Sequence, residues 1–278
     1  MNKTILITGC SSGIGEHCAL ELKKRGWRVF ATARKKADLA RLQKAGLEVF
    51  PLDYTDPASV AKLARDVAKA CDGKLYALFN NGAWGQPGAM EDISRELLTR
   101  QFESNVFGWH DLTRRMMPLM RANGAGRIIH NSSVLGLVAM KWRGAYNASK
   151  FAIEAIADTM RLELRDSAVP IHVVLIEPGP IRSKFVETAL AAFEREIDTE
   201  NSPYAAQYAH RKQALAKGGA ARFKLGPEAV FDKLLRALES PRPAARYGVT
   251  FPTHLMGLLR RLLPQRMLDW TLDKASDA

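Results

Sequence analysis

Short apolar runs alternate with longer stretches in which apolar residues recur at helical spacing. The short runs are rich in Ile, Leu, Val and Phe, which is typical of strands buried on both faces. They predict strands at Thr4–Thr8, Arg28–Ala33, Glu48–Leu52, Leu75–Asn80, Arg127–Asn131 and Ile171–Glu177, with a weaker strand near Arg246–Val249. The longer stretches predict helices at about Ile14–Arg25, Asp38–Ala45, Pro57–Cys71, Ser94–Arg121 and Gly144–Asp166.

Two helix boundaries carry their own local signals. Asp56 before Pro57 predicts an N-cap followed by proline in the first turn, and Gly26 predicts the end of the first helix. The alternation of strands and helices predicts an α/β fold, a doubly wound (Rossmann) parallel sheet of about seven strands with helices on both faces. No linker, repeat or low-complexity stretch interrupts the chain, so we expect one domain over residues 1–278.

Composition narrows the class of protein. Apolar residues make up 47% of the chain and charged residues 25%, as in ordinary globular proteins. The chain shows no apolar run of membrane-spanning length and no cleavable signal, so we expect a cytoplasmic protein. Cys10, Cys18 and Cys71 lack metal-binding spacing, so we expect neither a disulfide framework nor a metal site.

The net charge of +12 raises the question of nucleic acid. Residues 1–50 carry ten Lys and Arg against four Asp and Glu, residues 51–240 carry 25 against 22, and residues 241–278 carry six against three. The excess therefore lies near the two ends, and no basic segment is interleaved with stacking aromatics. We expect a solvated basic surface and no nucleic-acid partner.

A glycine-rich turn joins the first strand to the first helix, in the order Thr8-Gly9-Cys10-Ser11-Ser12-Gly13-Ile14-Gly15. Glycine lets the backbone approach a pyrophosphate at a helix N-terminus, where free N–H groups and the helix dipole favour an anion. The turn therefore predicts a dinucleotide site, although a glycine triplet alone is a weak signal. The expected contacts are Gly9, Ser11, Ser12, Gly13, Ile14 and Gly15.

The end of the second strand indicates which dinucleotide binds. NAD-binding proteins usually place Asp or Glu there, whereas a 2′-phosphate requires that acid to be absent and a cation nearby. Here the strand runs into Arg34-Lys35-Lys36 with no acid. We therefore expect NADP(H), with Arg34 on the 2′-phosphate and Asp53 near the adenine. An exposed basic turn, and turn capping by Asp53, are the alternatives.

A second cluster, more than a hundred residues downstream, can supply the chemistry. Tyr146 and Lys150 are four residues apart in a predicted helix, so their side chains share one face. We expect the ammonium group to lower the tyrosine pKa from about 10 and make the phenol a general acid/base. Ser133 follows the fifth strand and can donate to the same substrate oxygen. Tyr208 and Lys212 repeat the spacing without a preceding strand, and we treat that pair as fortuitous.

Together these residues resemble the short-chain dehydrogenase/reductase family over about residues 3–240. The resemblance is carried by the T-G-x-x-x-G-I-G opening, the spacing from Ser133 to Tyr146, the Y-x-x-x-K of Tyr146 and Lys150, and Pro178-Gly179 after the sixth strand. Within the family, the chain is most similar to the branch that holds retinol and 17β-hydroxysteroid dehydrogenases and related aldehyde reductases.

The resemblance implies a role for each matching residue. Tyr146 would be the general acid/base, Ser133 would orient the carbonyl, and Lys150 would also bind the nicotinamide ribose. Asn105 would position Lys150 through a water, or would be only a polar residue that bends its helix. The segment that would lie against the nicotinamide carboxamide contains Pro178, Gly179 and Ile181.

The chain departs from the family pattern after the fourth strand. The usual N-N-A-G is here Asn80-Asn81-Gly82-Ala83. If the fourth position required a positive φ, Ala83 would be strained. We keep Asn81 and Gly82 as expected coenzyme contacts.

The segment at about 182–225 lies where members of this family place a mobile substrate lid. Its apolar content favours an apolar aldehyde, ketone or alcohol as substrate, although packing on the protein accounts equally well for several of these residues. They are Phe185, Leu190, Phe193, Tyr204, Tyr208 and Phe223.

The C-terminal extension, about 250–278, is basic and apolar, with Pro264 interrupting any long helix. It could lie on an anionic membrane, but the apolar stretch is short and broken, so we favour packing over the active site or against another subunit. The residues concerned are Leu255, Met256, Leu258, Leu259, Leu262 and Leu263 with Arg260, Arg261 and Arg266.

Several functions stay open. A reversible NADP(H)-dependent carbonyl reductase accounts for Asn105, Ser133, Tyr146 and Lys150 together. A non-catalytic NADPH-binding regulatory protein, or a membrane-attached scaffold, leaves that set unexplained. A membrane-peripheral retinoid or steroid dehydrogenase would use both the set and the basic C-terminal end, and a dehydratase or epimerase is a further possibility on this fold. The family resemblance also implies a homo-oligomer.

Overall fold

The protein is described by a computed structural model over residues 3–216 and 224–277, with side chains described except at 211–216 and 277. In this part of the chain the strands are β1 (Thr4–Ile7), β2 (Arg28–Ala33), β3 (Glu48–Pro51), β4 (Ala77–Asn80), β5 (Gly126–Asn131), β6 (Ile171–Glu177) and β7 (Arg246–Gly248). All pair in parallel in one sheet of order β3-β2-β1-β4-β5-β6-β7. The predicted doubly wound fold is confirmed.

Helices connect the strands and follow the last of them. They are α1 (Gly13–Lys24), α2 (Lys36–Lys44), α3 (Pro57–Ala70), α4 (Arg95–Phe102), α5 (Gly108–Ala122), α6 (Gly144–Glu163), α7 (Phe185–Glu196), α8 (Ala205–Ala216), α9 (Glu228–Glu239), α10 (Phe251–Leu262) and α11 (Gln265–Asp277). The expected local signals are present at two boundaries. The Asp56 carboxylate accepts from the Ala58 N–H at 2.9 Å, and Gly26, with φ of +78°, follows the cap of α1.

The single helix predicted over Ser94–Arg121 is wrong. Residues Glu103–Phe107 form a π-helical turn between α4 and α5. A π turn inserts an extra residue into the helical ladder and is common at functional sites. In this turn both Asn105 and Val106 are buried, so the interruption points a polar side chain into the interior.

The sheet is covered on both faces, as its apolar strands predict. Successive side chains of β1 point to opposite faces, so Ile5 and Ile7 join one core while Leu6 joins the other. The first core packs against α1 and α9 through Leu22 and Leu234. The second packs against α3, α5 and α6 through residues that include Leu63, Leu112, Met116 and Ile153.

Two additions to this core lie close to the carboxyl ends of β5 and β6. Helices α7 and α8 lie in the predicted lid segment, which packs on residues 89–97 and on the start of α6. Helices α10 and α11 are joined through Pro264 and pack on the segment that follows β5, through a cluster of Val138, Leu268 and Leu272 with Val134, Met256, Leu259 and Leu263. The C-terminal extension therefore packs on the protein through one side of these helices, and packing over the active site or against another subunit stays a prediction.

Candidate active site

The order of the sheet fixes where a ligand can bind. Strand β1 lies between β2 and β4, so the strand order reverses at β1: β2 and β3 lie on one side of it, and β4 to β7 lie on the other. Ligands of open parallel sheets bind outside the carboxyl ends of the strands at such a switch point. The predicted site residues follow the carboxyl ends of β1 to β6 or lie on the helices beside them.

The glycine turn after β1 admits no side chain at its closest approaches. Gly9 has φ of +70°, and a Cβ there would lie 2.4 Å from the Cα of Gly82. A Cβ on Gly15 would lie 2.3 Å from the carbonyl oxygen of Gly9. A Cβ on Gly13, with φ of +60°, would meet that of Ser183 at 3.0 Å. The turn is thus a bare backbone cradle, which fits the pyrophosphate of a dinucleotide.

The start of α1 faces this cradle. Its N-cap, Ser12, has an extended backbone, and its side chain makes no capping bond within the described residues. The N–H groups of the first turn are therefore available to an anion. Arg41 of α2 donates to the Ser11 carbonyl at 2.6 Å and pairs with Glu16 of α1, which holds the turn against α2. Sequence reasoning missed Arg41, because no local pattern shows that α2 reaches the turn.

Asn81, an expected coenzyme contact, supports the cradle from behind. Its Nδ2 donates to the carbonyls of Thr8 and Gly9, at 3.0 and 3.3 Å. Its Oδ1 accepts from Nδ2 of Asn131, at 2.9 Å. Gly82 is held in the same place, since its N–H donates to the Thr8 hydroxyl at 3.0 Å. The side chain of Asn81 thereby joins the ends of β1, β4 and β5.

Ala83 does not carry the strain that its exchange with Gly82 suggested. Among the described residues other than glycine, only Asp72 and Trp142 have a positive φ. Gly82 itself also lies outside the positive-φ glycines. The loop therefore needs no left-handed residue at either position, and Ala83 packs its methyl group against the second core.

The basic turn after β2 is exposed. Arg34 forms no ion pair with any residue in the described ranges. Its guanidinium is therefore available to a phosphate. Asp53 accepts from the N–H and the hydroxyl of Thr55, at 3.0 and 2.8 Å. The turn-capping alternative for Asp53 is thus present, and its contact with adenine stays a prediction.

The structure brings Ser133, Tyr146 and Lys150 together. Ser133 follows β5 and caps the short 3-10 helix Val134–Gly136, and its side chain lowers the pKa of Tyr146. Lys150 is 1% exposed, and its Nζ donates to the carbonyl of Asn131 at 2.7 Å. Its Nζ lies 5.6 Å from the centre of the Tyr146 ring. The serine and the phenol can therefore meet one substrate oxygen, with the lysine one helical turn away.

The expected lowering of the tyrosine pKa is not found. Burial raises the pKa of Tyr146 to about 12, and the side chain of Ser133 and the charge of Arg143 only partly offset this effect. Burial also lowers the pKa of Lys150 to about 7. Lys150 donates to the Asn131 carbonyl and is not among the groups that shift the Tyr146 pKa, so desolvation prevails. Tyr146 is therefore a neutral phenol, the form that can donate a proton.

Sequence reasoning missed the aromatic support of Lys150. Its Nζ lies 4.4 Å from the centre of the Trp109 ring. That ring is fully buried, stacks on His130 at 10° and donates its indole N–H to the Gly82 carbonyl at 2.8 Å. Burial and the nearby lysine lower the pKa of His130 to about 3, so the stack is neutral. A cation over an indole face is stabilised by the ring quadrupole.

Asn105 holds the loop after β4. Its Oδ1 accepts from the N–H of Trp84 at 3.2 Å, and its Nδ2 donates to the Trp84 carbonyl at 2.8 Å. Nδ2 also reaches the hydroxyl of Ser149, the residue before Lys150, at 3.2 Å. The implied positioning of Lys150 through a water stays a prediction. The observed hydrogen bonds connect the π turn to α6, the helix that carries Tyr146 and Lys150.

The segment after β6 is fixed from two directions. The Pro178 carbonyl accepts from the N–H of Val134 at 2.8 Å, which joins it to the residue after Ser133. A Cβ on Gly179 would lie 2.1 Å from the hydroxyl of Thr250, so the chain before α10 passes directly behind it. Ile181 is buried and pairs with Leu225 in an isolated bridge. Ile181, in the predicted nicotinamide segment, and Leu225 therefore lie side by side at the two ends of the predicted lid.

The predicted lid reaches Tyr146. Phe185, the first residue of α7, packs its ring 5.3 Å from that of Tyr146. Tyr208 is buried, and its hydroxyl accepts from the Ala89 N–H at 2.7 Å and donates to Asp92 at 2.5 Å. Tyr208 is therefore a lid residue and not a second proton donor. Phe223, and the side chain of Lys212, lie outside the described residues.

In the described ranges, no set of side chains is placed to hold a metal ion, and the cysteines are not placed for thiol redox chemistry. No three His, Cys, Asp or Glu side chains between residues 3–216 and 224–277 are placed to hold a metal ion. Cys10, Cys18 and Cys71 are free and buried. Burial raises the thiol pKa of all three, and that of Cys10 reaches about 12. The thiols are therefore protonated and inert.

Comparison with known proteins identifies the family. The family model described as short chain dehydrogenase matches residues 3–192. Uncharacterized oxidoreductase YbbO of Escherichia coli K12 is 44% identical over 269 residues, covering 97% of this chain and 93% of that protein. Human 17-beta-hydroxysteroid dehydrogenase type 1 is 32% identical over 262 residues, covering 88% and 77%.

A solved structure agrees with both relatives. A short-chain dehydrogenase/reductase of Burkholderia phymatum, in complex with NAD, is 27% identical and superimposes with a TM-score of 0.77. The alignment covers 98% of this chain and 95% of that one. This chain therefore belongs to the short-chain dehydrogenase/reductase family and is an oxidoreductase. The resemblance inferred from its motifs is confirmed, including the similarity to 17β-hydroxysteroid dehydrogenases.

Proposed function

We propose that the protein is an NADP(H)-dependent reductase of apolar aldehydes or ketones, which also oxidises the corresponding alcohols. One observation carries the proposal: Ser133, Tyr146 and Lys150 lie together, and the neutral phenol of Tyr146 is beside the first aromatic residue of the lid segment, Phe185. The glycine cradle between β1 and α1 supports coenzyme binding by Gly9, Gly13 and the start of α1.

The residues of the chain can perform the proton half of the reaction. NADPH, when bound, supplies the hydride. Ser133 and Tyr146 donate hydrogen bonds to the carbonyl oxygen, and these bonds strengthen as negative charge develops on it. The phenolic proton of Tyr146 then passes to that oxygen and gives the alcohol. The charge of Lys150 stabilises the phenolate that remains, one helical turn away.

The coenzyme proposal depends on the turn after β2. An exposed Arg34 with no acid at the strand end favours a 2′-phosphate, which carries charge that an arginine can bind bidentately. Arg34→Glu is expected to lower kcat/KM for NADPH by about 10- to 100-fold, while that for NADH stays unchanged or rises. Arg65→Glu, the same change on the exposed side of α3, is the control. Equal effects of the two substitutions on both coenzymes would refute NADP(H) selection.

The substrate proposal depends on the lid. Phe185 lies beside Tyr146, and Phe193 packs on Tyr208 in an apolar cluster with Ile93 and Leu97. The steroid named in the human relative also has an apolar skeleton, which agrees with this composition. We therefore expect turnover to increase with the apolar body of the carbonyl compound.

The direct experiment is coenzyme absorbance with a panel of apolar aldehydes, ketones and alcohols. Tyr146→Phe is expected to lower kcat by about 10²- to 10⁴-fold, because it removes the proton donor, while coenzyme Kd is unchanged. Tyr247→Phe, which removes a hydroxyl that accepts from the Ala244 N–H at 3.1 Å, is the matched control. Full activity of Tyr146→Phe would refute the mechanism. Coenzyme binding without turnover of any compound would favour a regulatory protein.

Three wider predictions accompany the proposal. We propose one catalytic domain over residues 1–278, a homo-oligomer and a cytoplasmic location. Light scattering of the purified protein tests the second, and fractionation of cells that express it tests the third.

A further inference from the structure

The C-terminal helices carry apolar side chains on two sides. The inner side of α10, formed by Met256, Leu259 and Leu263, packs in the cluster that contains Val138. On the outer side, large apolar side chains face solvent, with Leu262 exposed to 68% and Trp270 to 67%. We call this the outer face, formed by Leu258, Leu262, Met267 and Trp270. Core packing is complete without the outer face and does not explain it.

Exposed apolar side chains elsewhere in the described residues are scattered. Before α10 they lie on separate elements, at Met90, Phe107, Leu162, Val186 and Leu225, and Phe251 stands at the start of α10. Single exposed apolar residues are ordinary on a protein surface, whereas a group of them marks an interaction site. In the outer face, four fall within 13 residues, on both sides of Pro264. The outer face is therefore a candidate docking surface.

The charges around the outer face are mainly positive, with the exposed Arg260, Arg261 and Arg266 against Asp269. Between Glu239 and Asp269 the sequence contains no acidic residue. The exposed Arg261 and Arg266 lie within this stretch, next to Leu262 and Met267. An exposed tryptophan beside arginines and aliphatic side chains is typical of helices that lie in the interface of an anionic bilayer.

We propose that the outer face docks on the surface of an anionic lipid bilayer. Leu258, Leu262 and Trp270 would enter the boundary between headgroups and acyl chains, and Arg261 and Arg266 would contact lipid phosphates. The attachment is peripheral, since no helix within the described residues has the length and hydropathy of a membrane span. The inference is independent of the reaction proposed above.

Charge favours lipid over a second copy of the chain. In a symmetric dimer the same patch meets itself, so the positive charges of Arg261 and Arg266 would be doubled, with Asp269 as the one acidic residue that each 258–270 stretch contributes. A stable interface also buries about 800 Å² on each partner, which four side chains on two short helices do not supply. An anionic bilayer provides both the apolar volume and the opposite charge.

The test is flotation of the full chain with vesicles of phosphatidylcholine alone or mixed with phosphatidylglycerol. The wild type is expected to float with the anionic vesicles and much less with the neutral ones. Leu262→Glu should lower partitioning by about tenfold or more, because it removes an aliphatic group that would enter the bilayer and adds repulsion from the anionic headgroups. Leu162→Glu, at a leucine 51% exposed on α6, is the matched control and should float as the wild type does.

A second pair of variants tests the charge. Arg261→Gln with Arg266→Gln should weaken binding to anionic vesicles by about 30-fold, since each basic residue near the surface contributes about a fivefold factor. Arg65→Gln with Arg165→Gln removes two exposed charges elsewhere and is the control. Circular dichroism and turnover of a water-soluble aldehyde show that the variants are folded.

Two results would overturn the proposal. One is the absence of flotation above the level of Leu262→Glu. The other is a wild-type dimer that Leu262→Glu converts to a monomer while leaving flotation unchanged, which would make the outer face a surface for self-association. Loss of aldehyde turnover in the wild type would contradict only the proposed reaction, because flotation does not measure activity.

Discussion

Removing Arg246 is expected to destabilise the protein in a manner that depends on pH. Arg246 lies on β7, and its guanidinium contacts three carboxylates from two other elements. Nη1 pairs with Glu154 of α6 and with Glu177 of β6, the latter at 2.7 Å. Nη2 pairs with Asp158 at 2.6 Å. Arg246→Met keeps an unbranched apolar stem and removes the guanidinium with its charge.

The burial of the partners sets the magnitude. The Glu154 and Glu177 side chains are 9% and 6% exposed, whereas Asp158 is 40% exposed and is also held by Arg161. The substitution therefore leaves two buried carboxylates without their cation. Breaking a buried ion pair by removing one partner costs about 3–5 kcal/mol. At about 2–4 °C for each kcal/mol, the melting temperature should fall by roughly 10 °C near pH 8.

The sign of the pH dependence follows from the pKa shifts. Burial raises the pKa of Glu154, and it raises that of Glu177 from 4.5 to about 7. The folded state therefore binds these protons more tightly than the unfolded state, and stability falls as pH rises from about 4.5 through the folded values. Arg246 lowers both pKa values, so its removal raises them further. The loss should therefore be small near pH 4.5 and should grow as the pH rises through about 7 and above.

The assay is urea unfolding followed by circular dichroism between pH 4.5 and pH 8. Arg28→Met is the matched control, because Arg28 and Glu48 form an exposed pair, 46% and 43% exposed. That control should lose at most about 1 kcal/mol at any pH. Combining Arg246→Met with Glu154→Gln and Glu177→Gln should recover most of the loss, since no buried charge remains. A loss that is the same at both pH values, or no larger than that of Arg28→Met, would refute the reasoning.

Two further predictions concern the cradle and the lid. Gly9→Ala should weaken coenzyme binding by more than about tenfold in a fluorescence titration, because the Cβ meets Gly82 backbone at 2.4 Å. Gly73→Ala, with φ of +73° and no atom within 4 Å, isolates the backbone cost, and an equal effect of both would contradict the steric argument. Tyr208→Phe leaves the Ala89 N–H without its partner and should cost about 1–3 kcal/mol. The lid should then be cut faster by a protease, and unchanged cleavage would show that this bond does not hold it.

The pattern of the chain predicts the sheet well because each strand is buried on both faces. In a run such as Ile5-Leu6-Ile7, both faces must be apolar, and all three side chains are fully buried. The lid and C-terminal helices were not predicted as elements. Their apolar positions serve two surfaces, as Met256 and Leu258 do in α10, so the single-stripe pattern of a core-facing helix is lost.

Part of the candidate site could likewise be predicted from the sequence, and part of it could not. The cluster of Ser133, Tyr146 and Lys150 follows from spacing along the chain, because one strand end and one helical turn place all three. The stack of Trp109 and His130 beneath the lysine depends on the packing of α5 against β5, which no local pattern records. The pKa of Tyr146 was predicted with the wrong sign because the argument from Lys150 omitted burial, the largest influence on the phenol.

The C-terminal quarter of the chain supports the candidate site at the carboxyl end of the sheet. Arg246 contacts Glu177, the residue before Pro178, and Glu154, whose carboxylate accepts from the hydroxyl of Ser132. Thr250 closes the space behind Gly179. The start of the predicted nicotinamide segment is thus contacted by groups that come later in the chain, and Ser132 is linked to them through Glu154. Removing this quarter should therefore impair the geometry of the site even though no proposed proton donor lies within it.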